Sequence, residues 1–240
     1  MMRFRLPMRR VVFFGCAFLI ASIALLPMRL ALGWLQIDTL GLSARRAQGS
    51  VWLGSLAEAR IGDAPLGDLA ARLSPIQLLV GRARVDVASR QNGPGAIAGG
   101  IGITRNSAGV DDFSGSIPVA AVFAPMPVET IDLSDVSVRF KDGQCAQAEG
   151  QVKAMLSGDV AGISLTQGLT GNARCEGGAL LLPLTGQSGM ERLALKLFED
   201  GRYTVDLAIR PSDPALGVRL EASGFRQTPQ GYVFGMQGRL

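Results

Sequence analysis

Sixteen consecutive residues without a charge, Val11 to Leu26 (V-V-F-F-G-C-A-F-L-I-A-S-I-A-L-L), constrain this chain more than any other feature. Pro27 and Met28 extend the run, and Arg29 ends it. A hydrocarbon core is crossed by about 17–25 helical residues, so Val11 to Met28 predicts a transmembrane helix. Arg3, Arg5, Arg9 and Arg10 precede it, against Arg29 just after, which puts the N-terminus inside. Arg29 then snorkels at the far boundary and Trp34 sits in the interface beyond. A cleaved signal peptide would have a shorter apolar region and a small-residue cleavage site. Leu25 to Met28 offer no such site. Gly15-Cys16 follows too few apolar residues, with Phe13 and Phe14 too bulky, to be a lipidation site. The expected organisation is a cytoplasmic basic tail (1–10), an uncleaved anchor (11–28) and an exported domain (29–240).

The net charge of +4 adds nothing beyond this topology signal. Without the four leading arginines, the other 20 Lys and Arg balance the 20 Asp and Glu. The basic balance therefore marks no nucleic-acid-binding face. Histidine is absent, which removes Ser-His, Cys-His and His-metal arrangements together. No carboxylate-pair or Ser-Lys motif takes their place. The expectation is a protein with no catalytic, cofactor or metal site.

Cys16 falls within the anchor, where a thiol acts as a small apolar group. Cys145 and Cys175 remain, in the exported part. Two cysteines in an oxidising compartment predict one disulfide, the alternative being two unpaired thiols.

The exported part reads as mainly β. The chain's 31 glycines have no collagen-like period and suit turns and bulges. In Leu193 to Arg210 (L-A-L-K-L-F-E-D-G-R-Y-T-V-D-L-A-I-R), alternate residues are apolar on either side of Asp200-Gly201, the pattern of a hairpin. A second hairpin is expected at Asp142-Gly143, and a third at Pro229-Gln230-Gly231 between Leu220–Phe225 and Tyr232–Met236. Further turn signals stand at Gly62-Asp63, Gly171-Asn172 and Ser212-Asp213. One short helix is expected, capped by Ser74, begun at Pro75 and closed at Gly81. The Gly-rich stretch Asn92–Gly109 reads as a long loop or irregular strands. Ile117–Val128, with Pro118, Pro125 and Pro127, reads as a connector that breaks the sheet in two. The whole predicts a curved antiparallel meander behind one transmembrane helix.

Between Leu35 and Val87 three short patterns recur in a fixed order. Gly49-Ser50-Val51-Trp52-Leu53-Gly54 is G-x-x-W-x-G, Leu66-Gly67-Asp68-Leu69 is L-G-x-L, and Pro75 to Gly81, with Leu78 and Leu79, is P-x-x-L-L-x-G. With the closing G-Y-V-F-G-M-Q-G-R-L from Gly231, they resemble the N protein of the type II secretion system (general secretion pathway protein N). The residues themselves read as structural: Trp52 as a sheet-packing aromatic, the glycines as turns and bulges. The resemblance implies a non-catalytic accessory subunit in the inner membrane of a Gram-negative bacterium. Its partners would be other secretion subunits of the inner membrane and periplasm, with the outer-membrane secretin as a further candidate. The competing expectation is an AsmA-like lipid-handling protein, which also joins one helix to a long curved sheet. An open apolar trough would favour lipid, and a sheet closed off by its own side chains would favour the scaffold.

Overall fold

The computed structural model describes residues 8–28, 42–91, 93, 95–160, 163–164 and 168–239. Helix α1 covers Met8–Ala24, so Arg9 and Arg10 lie in its first turn. Pro27 disfavours helical backbone in the residue before it, and the helix stops short of the expected Met28. Pro27 forms a β-bridge with Ser50 instead, and Met28 is buried in the core of the sheet. The Met28 side chain therefore packs on the sheet. Among the described residues no helix is long and apolar enough to cross a membrane. Arg3, Arg5, Arg29 and Trp34 lie outside the described residues.

The remaining chain is mainly antiparallel sheet. Strands β1 (Leu42–Gly49), β2 (Gly54–Ile61), β3 (Ala64–Leu73), β4 (Ala83–Ser89), β5 (Ala98–Ile103), β6 (Ser107–Pro118), β7 (Val128–Lys141) and β8 (Gln144–Leu156) each pair with the strand before. Short β9 (Asp159–Val160) and β10 (Ile163–Ser164) pair only with each other. The main sheet continues through β11 (Gly168–Asn172), with β12 (Arg174–Glu176) beside β13 (Ala179–Thr185). Then come β14 (Glu191–Leu197) and β15 (Arg202–Ile209), with β17 (Gly231–Arg239) next to β15 and β16 (Arg226–Thr228) outermost. Strands β3 and β6 stand three places apart in this order yet approach within 8 Å. A flat sheet would hold them about 14 Å apart, so this half of the meander is tightly curled.

The hairpin turns follow their residues. Asp142 and Gly143 both have positive φ, 51° and 82°, the conformation a two-residue type I′ turn needs. At Asp200-Gly201 only Gly201 has positive φ. There the Phe198 N–H donates to the Arg202 carbonyl at 2.9 Å and the Gly201 N–H to the Phe198 carbonyl at 3.1 Å. This is a three-residue loop with glycine in the left-handed position. Gly171-Asn172 is no turn: both residues lie in β11, and a Cβ on Gly171 would strike the Pro183 carbonyl of β13.

Three other expectations are corrected. The segment Leu220–Phe225 is not a strand, because helix α3 (Pro214–Ala222) occupies its first half and a turn the rest. Asp213 caps that helix by accepting from the Ala215 N–H at 2.8 Å, and Pro214 fills its first turn. The short helix α2 (Pro75–Leu79) is present, but Ser74 makes no side-chain cap; its own N–H donates to the Arg84 carbonyl. The prolines of Ile117–Val128 do not break the sheet. Pro118 still faces Thr130 in the β6–β7 register, and residues 119–127 arch over the apolar face.

That face is where the core sits. Leu182, Leu195, Val205 and Met236 form one cross-strand row, and Leu184, Leu193, Leu207 and Phe234 the next. Val119, Phe123 and Met126 from the connector, Leu220 from α3, and Phe225 cover these rows. Phe123 meets Tyr203 edge to face at 5.4 Å, and the Tyr203 hydroxyl donates to the Val122 carbonyl at 3.0 Å. A second core, in the curled half, gathers Leu56, Leu69, Val87, Ile97 and Phe113 around the small Ala59 and Ala71.

Candidate functional site

Three features of the sheet are candidates for function: the clip where α1 meets it, a charged outer face, and an open strand edge.

The clip is built from the sequence patterns between Gly49 and Gly81. Gly49 takes φ +89° to turn β1 back toward β2, where a Cβ would strike the Leu53 carbonyl. Gly54 has no side chain, and the Met28 thioether sits where its Cβ would be. Between them the Val51 N–H donates to the Leu26 carbonyl at 3.0 Å, and the Val51 carbonyl accepts from the Leu73 N–H at 3.2 Å. Trp52 is half-buried within this turn. Leu66 packs on the second core and Leu69 lies inside it. Gly67 (φ +75°) sits opposite the irregular register of β2, where the Asp68 carboxylate accepts from the Glu58 N–H at 3.0 Å. Pro75 begins α2, Leu78 is exposed, Leu79 ends the helix, and Gly81 (φ +76°) returns the chain to β4. The patterns thus form one contiguous block on β1–β4, with Leu26 to Met28 fastened to it.

The charged face lies on the opposite side of the sheet from the second core. Arg84 and Asp86 alternate with Val85 and Val87 on β4, and Arg82 immediately precedes the strand. In register with Arg84 and Asp86 on β5 stand Gly102 and Gly100. The arginine side chains occupy the space those glycines leave open and cross β5 to reach β6. Asp111 receives three of them: Arg82 at 2.5 Å, Arg139 at 3.4 Å and Arg84 at 3.6 Å. The hydrogen bond to Asp86 raises the Arg84 pKa above its usual value, with the charges of Asp86, Asp111 and Asp112 adding to it against partial burial. Three arginines here face three carboxylates, those of Asp86, Asp111 and Asp112. The cluster ties β4, β6 and β7 together across Gly100 and Gly102, which leave this face of β5 bare. Asp111→Asn is expected to cost about 2 kcal/mol of stability, because three guanidinium groups lose their common acceptor charge. A denaturation midpoint equal to that of the unsubstituted chain would contradict this.

The edge is on β17. Strand β16 covers only Gly231 to Val233 of it, so from Phe234 to Arg239 no further strand pairs on that side among the described residues. Cys145 on β8 and Cys175 on β12 form the expected disulfide, with 5.4 Å between their Cα atoms. Among the described residues, no group of three or more Cys, Asp or Glu could hold a metal ion.

Sequence reasoning gave the disulfide and singled out Gly49, Trp52 and Gly54 as structural, but missed their contact with Leu26 and Met28 and the charged face. Its signal was present in the alternation R-A-R-V-D (82–86) beside G-G-I-G (99–102), where charges on one strand meet glycines on the next.

The family model for type II secretion system (T2SS) protein N matches residues 40–234. Neither a curated protein nor a solved structure matches the chain.

Proposed function

The chain belongs to the type II secretion system protein N family, and on that premise we propose that it is a non-catalytic accessory subunit of the inner membrane. It would help assemble or stabilise the machinery that exports folded proteins across the outer membrane. Its anchor is the uncharged run from Val11, which makes up most of α1, and the four arginines before that run keep the N-terminus in the cytoplasm. The sheet then stands in the periplasm, where Cys145 and Cys175 can oxidise.

The observation that carries the scaffold reading is the filled apolar face. Leu207 and Leu220 are fully buried, and Phe123, Met126 and Phe225 close over them. The chain's own side chains occupy the surface that an acyl chain would need, which argues against lipid handling. The β17 edge beyond Val233 offers a partner strand main-chain groups to pair with. Other secretion subunits of the inner membrane and periplasm are the fitting partners, and the secretin is a further one.

Cells lacking the chain are expected to accumulate type II substrates in the periplasm; undiminished secretion would sink the proposal. A reporter fused after Leu240 should be active only in the periplasm. Photo-cross-linkers at exposed Gly235 and Gln237 should capture another secretion subunit, and equal capture in cells without that machinery would remove the edge from the argument.

A further inference from the structure

We propose that the clip end of the sheet is a membrane-contact surface: the Ser50–Leu53 turn and helix α2 rest in the interface of the bilayer that holds α1. This inference rests on the anchor reading above.

Helix α1 ends at Ala24, and the Leu26 carbonyl already accepts from the Val51 N–H at 3.0 Å. Two residues of chain reach at most about 7 Å. The turn is therefore held at the depth of the helix end. From Val51 the path continues to Leu73, and the Ser74 N–H donates to the Arg84 carbonyl at 2.9 Å. Helix α2 is thereby fixed beside the turn, at the same end of the sheet.

The side chains at this end are the ones a soluble surface would not present. Leu53 is 66% exposed, Ile76 76% and Val80 79%, and Leu25 at the end of α1 is equally open. Neither Ser50–Gly54 nor Ser74–Gly81 contains a charged residue. Exposed Arg72 flanks them, where it can meet lipid phosphates. Apolar side chains beside a half-buried tryptophan, with a basic residue at the margin, suit the headgroup–acyl boundary.

Length points the same way. The 14 uncharged residues of α1, Val11 to Ala24, rise about 21 Å, while the hydrocarbon core is about 30 Å thick. Seating the sheet end in the interface supplies the missing apolar depth next to the helix. A free-standing helix would need bilayer thinning instead.

The test uses the full chain with Cys16→Ala and its disulfide intact, reconstituted in phosphatidylethanolamine–phosphatidylglycerol vesicles. An environment-sensitive fluorophore is placed in turn at Leu53→Cys, Ile76→Cys and Val80→Cys. Phe18→Cys in α1 and Gln187→Cys at the opposite end of the sheet serve as references. With acyl chains brominated near the headgroups, positions 53, 76 and 80 should be blue-shifted and quenched, and position 187 should be neither. Quenching at Phe18 alone would overturn the proposal while leaving the anchor standing. No quenching anywhere would remove the anchor reading and this one with it. Shielding of 53, 76 and 80 from an aqueous quencher, without quenching by lipid, would put a protein there and overturn the membrane contact.

Discussion

Removing the Cys145–Cys175 disulfide is expected to destabilise the sheet by about 3.5 kcal/mol, the chain-entropy value for a loop of this length. The bridge joins the start of β8 to β12, which pairs only with β13 and lies off the main strand path. Strand β11 lies between β8 and β13 but is only five residues long. At the end where β11 stops, the disulfide and the hydrogen bond from the Cys145 N–H to the Gly178 carbonyl (2.8 Å) bring the two sides together. Urea unfolding of the full chain in mild detergent, with and without reductant, measures the effect. The paired Cys145→Ser, Cys175→Ser variant should match the reduced protein. Superimposable curves for oxidised and reduced chain would show that the crosslink adds no stability.

The second large effect is expected at Leu207. It is 0% exposed and faces Leu193 on β14 and Phe234 on β17 in register. Leu207→Ala leaves a cavity between strands that cannot close without breaking their ladders, and a loss of about 3 kcal/mol is expected. Val218→Ala, on the open side of α3 at 70% exposure, is the control and should move stability by less than about 0.5 kcal/mol. Equal losses at both positions would mean that α3 and the connector do not seal the apolar face. That outcome would reopen the lipid-handling reading.

Much of this fold was legible because sheet faces and tight turns are local. Asp142-Gly143 needs two positive φ angles, and the alternation of Leu193 to Ile209 needs one buried face; neither depends on distant residues. What escaped was decided by tertiary packing. The connector prolines looked like sheet breakers, yet nine residues between Pro118 and Val128 suffice to leave the sheet, cover its apolar face and return. Gly171 looked like a turn because glycine serves both a tight bend and a close backbone approach, and only the position of Pro183 tells them apart. For α3 the signal was present, since Asp213 followed by Pro214 is a helix start as well as a turn. In the candidate site, the pattern of Gly49, Trp52 and Gly54 was one of several that carried the resemblance, and the family match over residues 40–234 bears it out. That Gly54 makes room for Met28 could not be read until both were placed.

The strand order has a consequence for how such a protein is made. From β1 to β8 each strand pairs with the one before it, so every ladder is complete once its own residues have arrived. A chain threaded through a translocon from its N-terminus could pair these strands one by one on the far side, and the connector at 119–127 would meet Tyr203 only later. Short sequence separation between partners favours fast pairing, and it limits the time that an unpaired edge is open to aggregation. Oxidation of Cys145 must wait only for the 30 residues that bring Cys175. On the proposed topology, export of the domain and the pairing of these strands can therefore proceed together.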